Sequence, residues 1–94
     1  MGADERTEKQ VLVTNERGLH ARAATQLVQM AAKYPCEVTL AKDGNEVNGK
    51  SIMGVLMLVA SKGTMLTVAA KGDRAAEAVA AIVVLIQDKF GEGK

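Results

Sequence analysis

Residues 10–40 read QVLVTNERGLHARAATQLVQMAAKYPCEVTL, and the hydrophobic spacing changes twice within that stretch. Gln10-Val11-Leu12-Val13-Thr14 is short and rich in β-branched residues, as strands are. After a turn at Arg17-Gly18, Ala24, Leu27, Val28 and Ala31 fall at i, i+3, i+4 and i+7, one face of a helix that starts at about Ala21. Pro35 forbids its continuation, because the ring lacks an N–H and clashes with the preceding turn. Cys36-Glu37-Val38-Thr39-Leu40 then alternates as a half-buried strand does.

The same reading extends to the C-terminus. Asp43-Gly44-Asn45 is a tight turn into a weaker strand, Glu46-Val47-Asn48. Ser51 is placed to cap a short helix whose apolar stripe is Ile52, Val55, Leu56 and Val59, with Gly63 as its end. Met65 to Ala70 reads as a strand. Asp73 is placed to cap a last helix with Val79, Ile82, Val83, Ile86 and Phe90 on its buried side and Gly91 closing it. Residues 1–8 are polar and are expected to be disordered. The order β-α-β-β-α-β-α predicts an α+β fold over a single domain, 1–94: one antiparallel sheet with helices on one side.

Composition narrows the function. Ninety-four residues, 48% of them hydrophobic, make one aliphatic core with little room for a buried active-site cavity. Twelve basic against eleven acidic residues, with Tyr34 and Phe90 the only aromatics, argue against a nucleic-acid partner. One cysteine, Cys36, and one histidine, His20, cannot supply the ligands of a zinc site, and no metal or other cofactor is expected. The charged N-terminal stretch has no apolar signal segment, and no apolar run is long enough to span a bilayer. A cytoplasmic protein without direct membrane insertion is the expectation.

His20 stands where the predicted helix begins. The first N–H groups of a helix lack intrahelical partners and carry partial positive charge, which disfavours an imidazolium and welcomes an anion. Arg22 acts in the same direction and can donate to phosphate oxygens. The combination suits a histidine that captures a phosphoryl group as a nucleophile, and there are no paired carboxylates, no Ser-His-Asp set and no Gly-rich phosphate loop. By residue type alone, a lone histidine at a helix start is more often a cap or a surface residue.

GLHARAA at 18–24 followed by KSIMGV at 50–55 resembles the HPr family, the histidine-containing phosphocarriers of the bacterial phosphoenolpyruvate-dependent sugar phosphotransferase system. The resemblance covers about residues 8–91, with both motifs at the family's separation. It implies an open-faced β-sandwich of four antiparallel strands covered by three helices. It implies that His20 is phosphorylated through Nδ1, that Arg22 stabilises the phosphate beside the backbone of Ala21 and Ala23, and that Ser51 is a regulatory serine. The protein would be a carrier rather than an enzyme, accepting phosphate from enzyme I and delivering it to enzyme IIA domains. An HPr kinase/phosphorylase and a transcriptional regulator would be further partners.

Within that resemblance, Arg17, Leu19, Ile52, Met53 and Met57 are the expected docking contacts, and a monomer is the expected working form. Two positions depart from the family pattern. Ala23 replaces the usual proline after the arginine, and Arg17 replaces a smaller residue. Two alternatives remain: a paralogue serving a nitrogen-related branch, and a purely regulatory interaction module with the same fold.

Overall fold

The computed structural model describes residues 6–94 and gives seven main elements. In chain order they are β1 (Arg6–Leu12), α1 (Ala21–Ala31), β2 (Glu37–Lys42), β3 (Asn45–Asn48), α2 (Ile52–Met57), β4 (Met65–Lys71) and α3 (Ala75–Gln87). A single 3-10 turn, Lys89–Gly91, follows α3. The strands form one sheet in the order β1-β4-β2-β3, with every neighbouring pair antiparallel. This is the expected open-faced sandwich, a four-stranded sheet with three helices.

Alternation along the strands decides which face is covered. Val11 of β1, Val38 and Leu40 of β2, and Leu66, Val68 and Ala70 of β4 are buried in one cluster with Leu27 of α1, Val55 of α2 and Ile82 of α3. The residues between them, such as Gln10, Leu12, Thr39 and Thr67, face the other way and stay at least partly accessible. No helix among the described residues is long and apolar enough to cross a membrane.

Several boundaries differ from the sequence-based expectation. β1 already includes Arg6, Thr7 and Glu8, paired with Lys71, Ala70 and Ala69. The expected disorder of residues 1–8 is therefore not found for 6–8, and residues 1–5 lie outside the described residues. An edge strand tolerates charge on its open side, so the polar composition of this segment hid its pairing. Asp73 does not cap α3. Arg74 takes the cap position in the left-handed region, φ 64°, without a side-chain cap. Its guanidinium instead meets Glu77 at 3.1 Å and lies 5.0 Å from the centre of the Tyr34 ring.

Phe90 is buried as expected, but not as part of α3, which ends at Gln87. Lys89 and Phe90 both have positive φ, 56° and 54°, so the chain leaves the helical path before the ring enters the core. Of the stripe expected for α2, only Val55 is fully buried, while Ile52 is 41% and Val59 71% exposed. Six residues give α2 little more than one turn against its neighbours α1 and β3, which is too short to bury a four-residue stripe.

α2 also ends at Met57 rather than near Gly63. Val59 adopts φ 52° just after the helix, and its N–H donates to the Leu56 carbonyl at 3.1 Å. Lys42 Nζ donates to the carbonyls of Leu58 and Val59 at 3.2 and 3.0 Å, satisfying the free end of the helix. A β-branched residue is strained in the left-handed region, where glycine is the usual choice. Val59→Gly is expected to raise stability by about 1 kcal/mol, because the strain is relieved and no buried contact is lost. Urea and thermal unfolding check this, with a melting temperature higher by roughly 4–8 °C for a chain of this size.

Candidate functional site

The loop that carries His20 is pinned from behind before the helix begins. Val13 N–H donates to the Thr64 carbonyl at 2.9 Å, and Leu19 N–H to the Ala60 carbonyl at 2.8 Å. Gly18 takes φ 64°, and a Cβ there would lie 2.5 Å from the Ala60 carbonyl oxygen, so only glycine allows the approach. Leu19 is 5% exposed and belongs to the core. It was expected to be a docking contact. The structure corrects this: the side chain anchors the loop inward and has almost no surface to offer a partner.

His20 is the N-cap of α1, with φ −75° and ψ 177°. The Arg22 N–H donates to Nδ1 at 3.2 Å, so the imidazole does what a serine or aspartate oxygen usually does at this position. Nε2 lies against the Glu92 carboxylate. These two contacts assign the tautomer. A nitrogen that accepts an N–H is unprotonated, and a nitrogen facing a carboxylate carries the proton. Nδ1 is therefore the nucleophilic atom, and it lies among the first-turn amides.

Glu92 is held by more than the ring. Asn15 is completely buried, and its Nδ2 donates to the Gly18 carbonyl at 2.9 Å and to Glu92 Oε1 at 3.0 Å. Burial pushes the Glu92 carboxyl up, but the hydrogen bonds from Asn15 and His20, with electrostatic attraction from the His20 ring and Arg17, outweigh it. The net result is a carboxyl held below its ordinary value.

Sequence reasoning missed both Glu92 and Asn15. One is a single acid in a glycine-flanked tail, the other a single amide in a turn, and neither has a local pattern that marks it. Only the fold brings residues 15, 20 and 92 together.

Arg17 and Arg22 line an open depression of about 300 Å³ together with Glu16, Gly91, Glu92 and Lys94. Both arginines are exposed, and neither is ion-paired with a described residue. Of the two backbone positions expected near a phosphate, Ala21 is exposed, while Ala23 is fully buried and presents no accessible amide in this arrangement. Ser51 caps α2 as expected, its Oγ accepting from the Gly54 N–H at 3.0 Å. Ile52, Met53 and Met57 project from the same short helix, the two methionines 70% and 74% exposed. Cys36 is a free, buried thiol.

Comparison with known proteins places this geometry. The family described as "PTS HPr component phosphorylation site" matches residues 7–88. The chain belongs to the HPr family. The phosphocarrier protein HPr of Xylella fastidiosa is 45% identical over 85 residues, covering 90% of this chain and 96% of that protein. The crystal structure of HPr from Thermoanaerobacter tengcongensis superposes with a TM-score of 0.89 at 43% identity, covering 92% of this chain and 97% of that one. The phosphocarrier protein NPr of Shewanella violacea is 39% identical, covering 90% of this chain and 93% of that protein. As an HPr, the chain is a phosphocarrier of the phosphotransferase system.

The lowered Glu92 carboxyl sets the acid behaviour of the site. A carboxyl held below its ordinary value contributes stability that is complete above that value and is lost as pH falls through the folded value. The tail contact is thus expected to open at a lower pH than that at which a solvated glutamate titrates. Carbon NMR of the Glu92 carboxyl checks this, as a titration midpoint below that of a solvated glutamate. Glu92→Gln removes this component of acid sensitivity.

Proposed function

We propose that Nδ1 of His20 accepts a phosphoryl group from phosphorylated enzyme I in the cytoplasm and passes it to enzyme IIA domains. The protein is then a substrate of its partners rather than a self-sufficient catalyst. The observation that carries this reading is the Arg22 N–H pointing at the Nδ1 lone pair at 3.2 Å, which supports a nucleophile set among unpaired first-turn amides. Once Nδ1 is bonded to phosphorus, that N–H and the exposed Ala21 backbone face phosphoryl oxygens. The guanidinium groups of Arg22 and Arg17, which line the neighbouring depression with Glu92, would share the charge.

Incubation with labelled phosphoenolpyruvate and purified enzyme I tests the assignment. The expected product is an acid-labile, base-stable adduct that a folded His20→Ala protein does not form. Arg22→Ala is expected to slow acceptance by roughly 10–100-fold, the cost of losing one charged donor at a developing charge. Transfer from the labelled protein to IIA domains of the sugar and nitrogen branches separates the two main roles. The similarity to NPr supports the second one. Efficient transfer to the nitrogen-branch domain alone would reassign the protein to that branch.

The exposed side of α2 is the proposed meeting surface for these proteins, through Ile52, Met53 and Met57, with Arg17 beside the site. Flexible thioethers adapt to more than one partner face, which suits a carrier with several clients. Ser51 at the head of this helix is the proposed regulatory position, modified by an ATP-dependent HPr kinase/phosphorylase and read in turn by a transcriptional regulator. Phosphate at a helix start is well tolerated, so the fold survives and the added charge acts on the approaching partner. Met53→Glu and phosphorylated Ser51 are each expected to weaken enzyme I binding about tenfold without a change in circular dichroism. Calorimetric titration with wild-type affinity for both forms would remove α2 from the docking surface.

A further inference from the structure

The segment after α3 folds back over the phosphoacceptor histidine. The consecutive left-handed residues Lys89 and Phe90 turn the chain, and the Phe90 ring, 3% exposed, fixes it to the core. Two residues beyond Glu92, the Lys94 carbonyl accepts from the Glu16 N–H at 3.1 Å. Glu92 lies between these two attachments, so its carboxylate is held against Nε2 from both directions along the chain.

Asn15 shows how closely this contact is specified. Its Nδ2 reaches two acceptors, the Gly18 carbonyl and Glu92 Oε1, while its Oδ1 is buried with no partner among the described residues. Rotating the amide would turn the oxygen toward two other oxygens and leave both without a donor, so the orientation is fixed. An orphaned buried acceptor costs on the order of 1–3 kcal/mol. The Asn15 amide holds one oxygen of the Glu92 carboxylate while the other meets Nε2, so the carboxylate is fixed relative to the ring.

We propose that Glu92 is a positioning residue for phosphoryl transfer, acting through Nε2 of His20, and that Asn15 holds it in place. The inference rests on the reading of His20 as the phosphoacceptor and adds the group that orients it. As the Nδ1 lone pair forms the bond to phosphorus, the bond from phosphorus to the donor's atom breaks and its electron pair leaves with the donor. No proton leaves Nε2, so the ring gains a positive charge that it did not have before. The Glu92 carboxylate, already in contact with Nε2–H, lies against that charge as it forms. Before the reaction it keeps the proton on Nε2 and the ring plane fixed, so that Nδ1 stays aimed at the Arg22 amide in the first turn of α1.

The test combines a spectroscopic and a kinetic measurement on the full chain. In unphosphorylated wild type the Nε2–H proton is expected as a slowly exchanging, strongly downfield resonance correlated to labelled His20. Glu92→Ala should lose that resonance to solvent exchange, and Glu92→Gln should keep it shifted upfield. Single-turnover acceptance from phosphorylated enzyme I is expected to fall roughly 10–100-fold in Glu92→Ala, the usual loss when an orienting partner of a histidine is removed. Glu92→Gln, which preserves the contact without the charge, should fall between the two and serves where the alanine protein is unstable.

Acceptance at the wild-type rate by either variant, with the Nε2–H resonance lost or unchanged, would overturn the proposal and leave Glu92 as a clip for the tail. Labelling of His20→Ala by enzyme I would instead overturn the reading of His20 itself, so the two failures are distinguishable.

Discussion

The amides at the start of α1 need acceptors, and the residue that answers one of them is an imidazole rather than a hydroxyl or a carboxylate. Most of the site follows from this capping bond. It requires extended backbone at His20, which in turn requires the preceding loop to arrive from the side of Ala60, where only a glycine at position 18 fits. It uses the Nδ1 lone pair as the acceptor, which leaves Nε2 to carry the proton and to seek a carboxylate. The nearest one comes from the far end of the chain. In the proposed function, a bond that serves helix stability in the resting protein also aims the reactive atom.

What could be read from the sequence follows from how local each cause is. α1 was legible because Gly18 and Pro35 bracket an apolar stripe, and both act through their own backbone geometry. The Ser51 cap was legible for the same reason, since its acceptor and the Gly54 donor lie within one turn. The start of β1 was hidden because Arg6 and Glu8 look like a solvated tail, and only β4 makes them a strand. Asp73 looked like a cap, but the chain enters α3 through left-handed Arg74, a choice tied to distant Tyr34. Leu19 looked like surface because it adjoins the reactive residue; its burial depends on the loop's contact with Ala60. His20 and Arg22 were identifiable as candidates, while Asn15 and Glu92 were not, because their chemistry exists only after residues 77 positions apart meet.

The region between α2 and β4 shows a different constraint. Val59 stands in a conformation that disfavours its own side chain, and Lys42 from β2 reaches over to stabilise the carbonyls exposed there. One residue later, Ala60 supplies the acceptor that fixes Leu19. The strained turn and the histidine loop are therefore joined through a single peptide, and the exposed methionines of α2 are carried on the same rigid unit. If α2 docks partners as proposed, this connection ties the position of the docking surface to the histidine loop.

A phosphoryl carrier works only if it can give up what it accepts, and the charge layout bears on this. Donors that surround a phosphate completely would stabilise the loaded form and slow delivery. The depression beside Glu92 is open, and its cations, Arg17, Arg22 and Lys94, are exposed rather than buried. Ala23 adds little to that set, since its amide is buried. In the proposed reaction, Glu92 contacts Nε2 rather than Nδ1, so it faces the ring's charge without becoming a further ligand for the phosphate. In the proposed reaction, stabilisation therefore falls mainly on the imidazole, which remains behind, and less on the group that must leave.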